Sequence, residues 1–236
     1  MTRAHPTPRD GAVDVWELRP SDRDDALDDT RALDATERAR AARFVDPRHR
    51  ARYVAAHIAL RRVLSAYADL PAAALTFGRA PCPGCGGPHG RPVLTGVDGA
   101  PHFSLSHSRG LAVVAVAGAP VGVDVQHVPP AGTVAHCAPA LHPGERDELA
   151  AVPDPGRAEA FARLWARKEA YLKGIGTGLA RGTAADYLGA DPAGHPPGWH
   201  IHDLPGLGAP TALALRSTTP PRPTVRTLPA GNLLPG

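Results

Sequence analysis

The sequence predicts an α+β protein in which strands and helices occur twice over, with a division near residue 117. Short segments such as VGVDV, residues 121–125, alternate in the manner of half-buried strands. Longer segments, such as residues 38–64 and 155–173, carry apolar residues on one helical face. Segments of both kinds lie on each side of residue 117, which indicates two similar halves.

The composition is that of a folded protein without a membrane span. The chain has 236 residues, of which 43% are hydrophobic and 5% aromatic, so Ala, Val and Leu must form most of the core. No apolar run is long enough to cross a bilayer, and the first residues lack a signal-peptide core, which predicts a cytoplasmic protein. Three cysteines do not suggest a disulfide framework. The net charge of +3 fits an anionic ligand.

The first half begins with a strand candidate from Gly11 and an acidic linker at residues 21–30. A helix is expected next, with Asp34 or Thr36 as its N-cap. An Arg-rich helical stretch, residues 38–64, follows and is interrupted at its Asp-Pro step. Its arginines form either a solvated helix face or an anion-binding wall, and the pattern alone leaves both interpretations open.

Several strand candidates occupy the middle of the chain. A glycine- and proline-rich loop separates one short strand that ends at Phe77 from another at Val93–Leu94. Three longer candidates follow at residues 101–108, 111–118 and 121–128, joined by tight turns. Consecutive strands with such turns predict an antiparallel meander.

Helical signals return after the meander. A short helix is expected over residues 141–152. The next helix should begin with Asp154 as N-cap and Pro155 in the first position, run to Lys173 and end at Gly174. Weak strand candidates follow at residues 185–190, 198–204 and 210–217. The chain from about Ser217 is rich in proline, which predicts a mobile tail.

The long helix of the second half carries charges on its apolar face. Lys168 falls in the middle of the apolar stripe, Glu169 at its edge, and Lys173 one turn further along. A buried, unpaired charge is costly. The pattern fits either a surface Glu169–Lys173 pair with Lys168 extending to solvent, or a charged site at the rim of a cleft. Of the 26 basic residues only these two are lysines, which favours the site.

The strand candidate VGVDVQHV carries an acid and an amide on one face. Side chains alternate along a strand, so Asp124 and Gln126 point into the same space, next to Gly122, which leaves room there.

Two of these segments resemble the hallmark motifs of Sfp-type 4'-phosphopantetheinyl transferases, the surfactin-synthetase-activating type. GVDVQ resembles the first motif, and WARKEAYLKGIGTGL resembles the second, with Trp165, Lys168, Glu169 and Lys173 at the family's spacing. FSLSHS, GRP and the Arg-rich helix resemble further family segments. The resemblance covers roughly residues 38–178 and rests on four motifs in order.

The resemblance implies a fold of two pseudo-symmetric α/β halves, each an antiparallel sheet with a long helix, and an active site in the cleft between them. The halves would be residues 1–117 and 118–216, followed by a tail, 217–236. The implied reaction is Mg²⁺-dependent transfer of 4'-phosphopantetheine from coenzyme A to a serine of an apo acyl or peptidyl carrier protein, with release of 3',5'-ADP. The implied enzyme is a monomer that binds no nucleic acid and no membrane.

The resemblance also implies roles for individual residues. The metal ligands would be Asp124, Gln126 and Glu169, although many relatives carry a second acid where this chain has Gln126. The catalytic residues would be Glu169, Lys173 and His107. The residues that bind coenzyme A would be Arg40, Arg52, Arg91, Ser106, His107, Lys168 and Lys173. Glu145, in HPGERDEL, is interpreted as structural.

A separate signal lies in the loop CPGCGGPH. Cys82, Cys85 and His89 would supply three of the four ligands of a structural Zn²⁺ site, and the fourth would come from Cys137, His136 or His102. The other interpretation is a loop that happens to carry two thiols.

This loop motivates a rival function, a zinc-knuckle nucleic-acid-binding module. Few aromatic residues are available for base stacking, and a second CxxC is lacking, which weighs against it. A catalytically inactive, carrier-binding relative is the third hypothesis.

Overall fold

The computed structural model describes residues 5–19 and 30–228. The helices in this part of the chain are α1 (Ala35–Ala42), α2 (Pro47–Ala68), α3 (Ala131–Cys137), α4 (Pro143–Ala151) and α5 (Arg157–Ile175). The strands are β1 (Ala12–Leu18), β2 (Thr76–Arg79), β3 (Pro92–Thr95), β4 (His102–Ser108), β5 (Leu111–Ala117), β6 (Val121–Val125), β7 (Trp199–Asp203), β8 (Thr211–Arg216) and β9 (Arg222–Thr227). The predicted α+β class is confirmed. None of the described helices combines the length and the apolar character that a membrane crossing needs.

The first sheet has the order β4-β5-β1-β9 and is covered by α2. Its β4–β5 and β5–β1 pairs are antiparallel, whereas β1–β9 is parallel. The core between sheet and helix includes Ile58 and Leu64 of α2 and Val114 and Val116 of β5. The predicted interruption between α1 and α2 is confirmed, and Asp46 caps α2 by accepting a hydrogen bond from the Arg48 amide.

The second sheet has the antiparallel order β6-β8-β7 and is covered by α5. Small residues bring the helix close to the sheet: a Cβ at Gly122 of β6 would overlap the carbonyl oxygen of Ala170. Gly174, expected to end the helix, instead lies inside α5, where a Cβ would come 2.7 Å from the Trp199 ring. The helix ends at Gly176, whose φ of 84° suits a glycine C-cap.

The expected meander is wrong at its third strand. β4 and β5 pair as predicted, but β6 leaves them and pairs with β8 in the second sheet. The edges of the two sheets meet through serine side chains: the amides of Val123 and Val125 donate to the hydroxyls of Ser104 (3.1 Å) and Ser106 (3.2 Å). Alternation predicts a strand but not its partner, and here hydroxyl groups satisfy the edge amides that a meander would pair with backbone.

The start of α5 also differs from the prediction. The helix begins at Arg157 after Gly156, which offers no side-chain cap, while Asp154 and Pro155 lie in the preceding turn. At α1 the expectation holds: Asp34 is the N-cap, and it forms a reciprocal capping box with Glu37.

The end of the described chain is not a mobile tail. β9 pairs with β1 in register from Ala12–Arg222 to Glu17–Thr227, and Leu228 is buried in the first core. β9 lies at the edge of its sheet, where Pro223 is tolerated. Residues 229–236 of the expected tail, and most of the acidic linker, lie outside the described residues.

The strand expected at residues 185–190 is also absent from the described chain, whose backbone is bent and irregular there. Its backbone amides donate to acidic side chains of α4 instead of to a sheet: Leu188 to Glu145 (2.6 Å) and Ala190 to Glu148 (3.0 Å).

Candidate active site

Asp124 lies at the centre of the candidate site, near the end of β6. Its side chain is nearly buried, with 3% of the residue exposed. One carboxylate oxygen accepts hydrogen bonds from the Ser106 hydroxyl (2.8 Å) and the Lys173 ammonium group (2.6 Å). The other accepts one from the Gln126 amide nitrogen (2.6 Å). The prediction that Asp124 and Gln126 share a face of the strand is therefore confirmed.

Lys173 connects α5 to this carboxylate. Its Nζ atom also lies 3.3 Å from the carbonyl oxygen of Val123, so its contacts are to β6 rather than to a surface partner on its own helix. Of the two interpretations, the surface Glu169–Lys173 pair is therefore wrong, because Lys173 forms a helix–strand pair with Asp124. Because 32% of the Lys173 side chain stays exposed, the ammonium group remains accessible to a ligand.

Glu169 lies one turn before Lys173 on α5 and is half-buried. Burial and the nearby charge of Asp124 raise the pKa of its carboxyl group, and Lys173 opposes the shift. A half-buried carboxyl group whose pKa is raised beside a second carboxylate is poised to take up a proton or a cation.

The donor set of these two residues fits a hard divalent cation. Within the described residues, the Glu169 carboxylate receives no hydrogen bond, and the Asp124 oxygen that faces Gln126 receives only one. Each oxygen therefore retains a free lone pair. Carboxylate oxygens are the ligands that Mg²⁺ prefers, and the ion needs only one or two of them beside water and phosphate oxygens.

A cavity of about 610 Å³, called here the Arg91 cavity, opens beside Lys173. Its wall combines the N-terminal end of α1, the middle of α2, the β2–β3 hairpin, β4, the last turn of α5 and the segment that follows it. It includes Glu37, Tyr53, His57, Arg79, His89, Arg91, Ser104, Leu105, Lys173 and Thr177. Two buried polar atoms on this wall, Nε of Arg91 and Oγ1 of Thr177, have no hydrogen-bond partner among the described residues. Both can donate to an anionic ligand.

The basic residues predicted to bind coenzyme A are divided between this region and the surface. Burial and the nearby Arg216 lower the pKa of Arg91. His107 is at the exposed end of β4, and its pKa is lowered by the surrounding protein and by the charges of His57, Lys173 and Arg52. His107, Arg52 and Lys173 thus share one positive environment.

Arg40 does not join this group in the structure. It lies exposed on α1 with its guanidinium 5.6 Å from the centre of the Phe44 ring, and it does not line the Arg91 cavity.

The chain is similar in sequence to known 4'-phosphopantetheinyl transferases. The sequence model of the 4'-phosphopantetheinyl transferase superfamily matches residues 120–197. The 4'-phosphopantetheinyl transferase HetI of Nostoc sp. is 32% identical over 174 residues, which is 72% of this chain and 70% of the relative. The chain belongs to the 4'-phosphopantetheinyl transferase superfamily.

Other members are similar over less of their length. A putative 4'-phosphopantetheinyl transferase of Synechocystis sp. is 29% identical over 71% of this chain and 66% of the relative. A 4'-phosphopantetheinyl transferase of Bacillus subtilis is 34% identical over 34% of this chain and 35% of the relative. The region that the superfamily model matches includes β6 and α5, which carry Asp124, Glu169 and Lys173.

Two predicted ligand-binding residues of this superfamily member do not reach the cavity. Ser106 is buried and holds Asp124 and the Val125 amide. Lys168 is 2% exposed, and its Nζ atom lies 2.7 Å from Oε1 of Glu145, which is fully buried. The same ammonium group also donates to the Asp186 carbonyl oxygen.

The Lys168–Glu145 pair is the structural link between α5 and α4. Glu145 also accepts the amides of Leu188 (2.6 Å) and His142 (3.0 Å), which agrees with the structural role expected of it. Burial lowers the pKa of Lys168 against the opposing effect of Glu145. Lys168, the charge in the apolar stripe of α5, is therefore paired with Glu145, and this pair stabilises the packing of α4 and α5 instead of binding a ligand.

Sequence reasoning missed a charged network beside the Arg91 cavity, whose lining includes Asp34, Glu37 and His57. Arg61 is fully buried and pairs with Glu37 (2.6 Å) and Asp34 (2.7 Å), while His57 pairs with Glu37 at 3.0 Å. His57 and Arg61 lie four residues apart on α2, where Arg61 belongs to the buried face and His57 is partly buried. A polar residue on an apolar face, the criterion applied to α5, was the available signal. The place of Thr177 on the cavity wall was also missed, and no such pattern in the sequence indicates it.

The structure brings together the three predicted zinc ligands of this transferase-family chain. One ligand atom each of Cys82, Cys85 and His89 lies within 4.8 Å of the other two. The described part of the chain adds no fourth Cys, His, Asp or Glu to the group, so the candidates Cys137, His136 and His102 stand apart from it.

Proposed function

We propose that the protein transfers the 4'-phosphopantetheine group of coenzyme A to a serine of an apo acyl or peptidyl carrier protein and releases 3',5'-ADP. Membership of the superfamily supports the identity of the transferred group. The observation that carries the proposal is the Asp124–Lys173 pair, which lies beside Glu169, a carboxyl group with a raised pKa. Lys173 also lines the cavity whose wall includes Arg91, and Nε of Arg91 has no hydrogen-bond partner among the described residues.

In the transfer, the serine oxygen forms a bond with the phosphorus that carries pantetheine. The bond from this phosphorus to the bridging oxygen of the diphosphate breaks, and 3',5'-ADP leaves with the electron pair. The serine loses its proton. Such a reaction depends on charge stabilisation and positioning rather than on covalent catalysis by the protein.

Lys173 and Glu169 divide these tasks in the proposal. The partly exposed ammonium group of Lys173 stabilises negative charge that develops on the diphosphate. Glu169 accepts the serine proton, and its raised pKa makes it a stronger base than an ordinary carboxylate. His107 donates a hydrogen bond to a phosphate oxygen from the end of β4.

We propose Mg²⁺ as the metal, held by Asp124 and Glu169. When bound, the ion would polarise the diphosphate and offset its charge. Gln126 is the third proposed ligand, and this role requires its amide oxygen to face the ion. The donor of the present hydrogen bond is its nitrogen, so Gln126 also serves to hold Asp124 in position.

Coenzyme A would occupy the Arg91 cavity. Arg91 suits a phosphate because its guanidinium can donate two parallel hydrogen bonds, and the unpartnered Nε supports this role. Arg52 and His107 would bind the diphosphate side from the same positive region, and Arg40 would reach the 3'-phosphate from α1. Ser106 would act indirectly, by holding Asp124. Lys168 would stabilise the fold through its pair with Glu145 on α4.

The proposed arrangement has two pseudo-symmetric halves with the active site in the cleft between them. Residues 1–117 contribute α2 with β1, β4 and β5, and residues 118–216 contribute α5 with β6, β7 and β8. The similar sheet-and-helix content of the halves supports this division. One chain holds every proposed site residue, which supports a monomer, and coenzyme A and its carriers would be met in the cytoplasm.

The test compares two substitutions of glutamate by glutamine on the same helix, α5. The protein is incubated with coenzyme A, Mg²⁺ and an apo carrier protein, and the carrier is weighed by mass spectrometry. Glu169→Gln should abolish the mass gain with an unchanged circular dichroism spectrum. Glu159→Gln, which alters an exposed residue paired with Arg163, should retain it. Full activity of Glu169→Gln would refute its role. Salt-sensitive nucleic-acid binding without carrier modification would favour the zinc-knuckle alternative. Carrier binding without a mass gain would favour the inactive relative.

A further inference from the structure

The loop between β2 and β3 is long for the small hairpin that carries it. Residues 80–91 connect two four-residue strands that pair only with each other. An isolated two-stranded hairpin is marginally stable, and a loop of this length without its own secondary structure is uncommon in a compact domain. An additional interaction is therefore needed to hold this loop in one conformation.

The side chains of the loop converge on one point. The Cys85 sulfur lies 3.0 Å from Nε2 of His89, and the Cys82 sulfur completes a group whose three atoms are within 4.8 Å of one another. Tetrahedral Zn²⁺ requires sulfur–nitrogen separations of about 3.6 Å and sulfur–sulfur separations of about 3.8 Å, from its usual bond lengths. Small side-chain movements are enough to reach these values.

The backbone of the loop favours the same arrangement. The amides of Gly84 and Cys85 donate to the Cys82 sulfur, as expected around a metal-bound thiolate. The Cys82 amide donates to the Gly87 carbonyl (2.8 Å), which closes the turn. A Cβ at Gly87 would lie 3.1 Å from Nε2 of His89 and 3.4 Å from the Cys85 sulfur, so a side chain there would crowd the space between the ligands.

We propose that the Cys82 and Cys85 thiolates and Nε2 of His89 bind a structural Zn²⁺ ion, with water as the fourth ligand. A zinc site with three protein ligands keeps water in its fourth position. Cys85 and His89 are exposed, so this position would be open to solvent. The inference does not depend on the transfer reaction.

The ion also orders one wall of the Arg91 cavity. His89, Gly90 and Arg91 are consecutive residues of that wall. The Gly90 amide donates to the Ala80 carbonyl (2.9 Å), which ties the loop to the end of β2. Fixing His89 therefore fixes the backbone that presents Arg91.

The test measures metal content before any activity. Full-length protein is purified with a non-thiol reductant and without chelator, and zinc is measured by mass spectrometry. We expect one zinc ion per chain in the wild type and in the control Cys137→Ser, whose half-buried thiol lies outside the group. Cys85→Ser, a change at an exposed residue, should lower zinc affinity at least tenfold. Co²⁺ exchange should give thiolate charge-transfer bands in the wild type and the control.

Substoichiometric zinc after reconstitution, absence of the cobalt bands, or an equal zinc affinity of Cys85→Ser and the wild type would overturn the proposal. The effect on Arg91 rests on the proposed function and has its own measurement, calorimetric titration with coenzyme A. Zinc-free protein should bind coenzyme A several-fold more weakly than zinc-loaded protein. Equal affinities would refute the effect of zinc on Arg91. The zinc stoichiometry tests the metal site independently of coenzyme A binding.

Discussion

Lys168→Met removes the ammonium group that lies 2.7 Å from the buried Glu145 carboxylate. The methionine side chain approximates the volume of the lysine stem, so the main change is electrostatic. Glu145 keeps its hydrogen bonds from the amides of Leu188 and His142, but its charge loses the opposite charge that compensates it. Breaking a buried ion pair from one side costs about 3–5 kcal/mol.

The expected loss is a large part of the total, because domains are typically stable by about 5–15 kcal/mol. At about 2–4 °C per kcal/mol for a chain of this size, the melting temperature should fall by about 6–20 °C. The double variant Lys168→Met/Glu145→Gln removes both charges and should recover most of the loss, because a neutral amide leaves no buried charge.

Urea unfolding followed by circular dichroism measures the free energy of unfolding of the wild type, both single variants and the double variant. Titration with coenzyme A, at a temperature where each is folded, measures ligand affinity. We expect lowered stability and unchanged affinity for Lys168→Met. A stability within about 0.5 kcal/mol of the wild type, combined with weakened coenzyme A binding, would show that Lys168 reaches the ligand and would refute the structural role.

Three further predictions follow from other contacts. Burial raises the pKa of Glu37, but hydrogen bonds from basic side chains and a backbone amide outweigh it and hold the pKa below its ordinary 4.5. Its contribution to stability is therefore present above pH 4.5 and lost as pH falls through the lower folded pKa, so Glu37→Gln should flatten the acid limb of a melting-temperature profile. Gln126→Glu places a second negative charge beside Asp124 and should retain transfer while lowering the Mg²⁺ concentration for half-maximal rate; an unchanged requirement would put residue 126 outside the metal's ligands. Gly122→Ala should lower the free energy of unfolding by at least about 2 kcal/mol, because its methyl group would overlap a backbone carbonyl of α5, whereas Gly132→Ala, in open space on α3, should be neutral or stabilising.

The sequence predicted much of the site because charge in an apolar pattern is a local signal. Strand alternation put Asp124 on a defined face, and helical spacing put Glu169 and Lys173 near the same side of α5. Lys168 shows the limit of this reasoning. Its position in the stripe indicated burial, but its partner Glu145 lies on another helix, and no spacing along α5 identifies it.

Tertiary pairing explains the other differences. β6 has the pattern of a meander strand, yet its partner comes from far along the chain, and the serines of β4 bond to its other edge. β9 was missed because the proline-rich composition of this segment outweighs its three β-branched residues, Thr224, Val225 and Thr227, in a sequence pattern. Position at the sheet edge makes Pro223 acceptable, and that position is set by β1, at the opposite end of the chain.

The most direct test of the account is a single reaction in which both products are counted. The protein is incubated with coenzyme A, Mg²⁺ and apo carrier proteins of the fatty-acid, polyketide and nonribosomal-peptide classes. The account predicts that at least one carrier gains phosphopantetheine on a serine and that 3',5'-ADP appears in equal amount. The absence of any mass gain with all three carrier classes, from protein that is folded and binds coenzyme A, would contradict it.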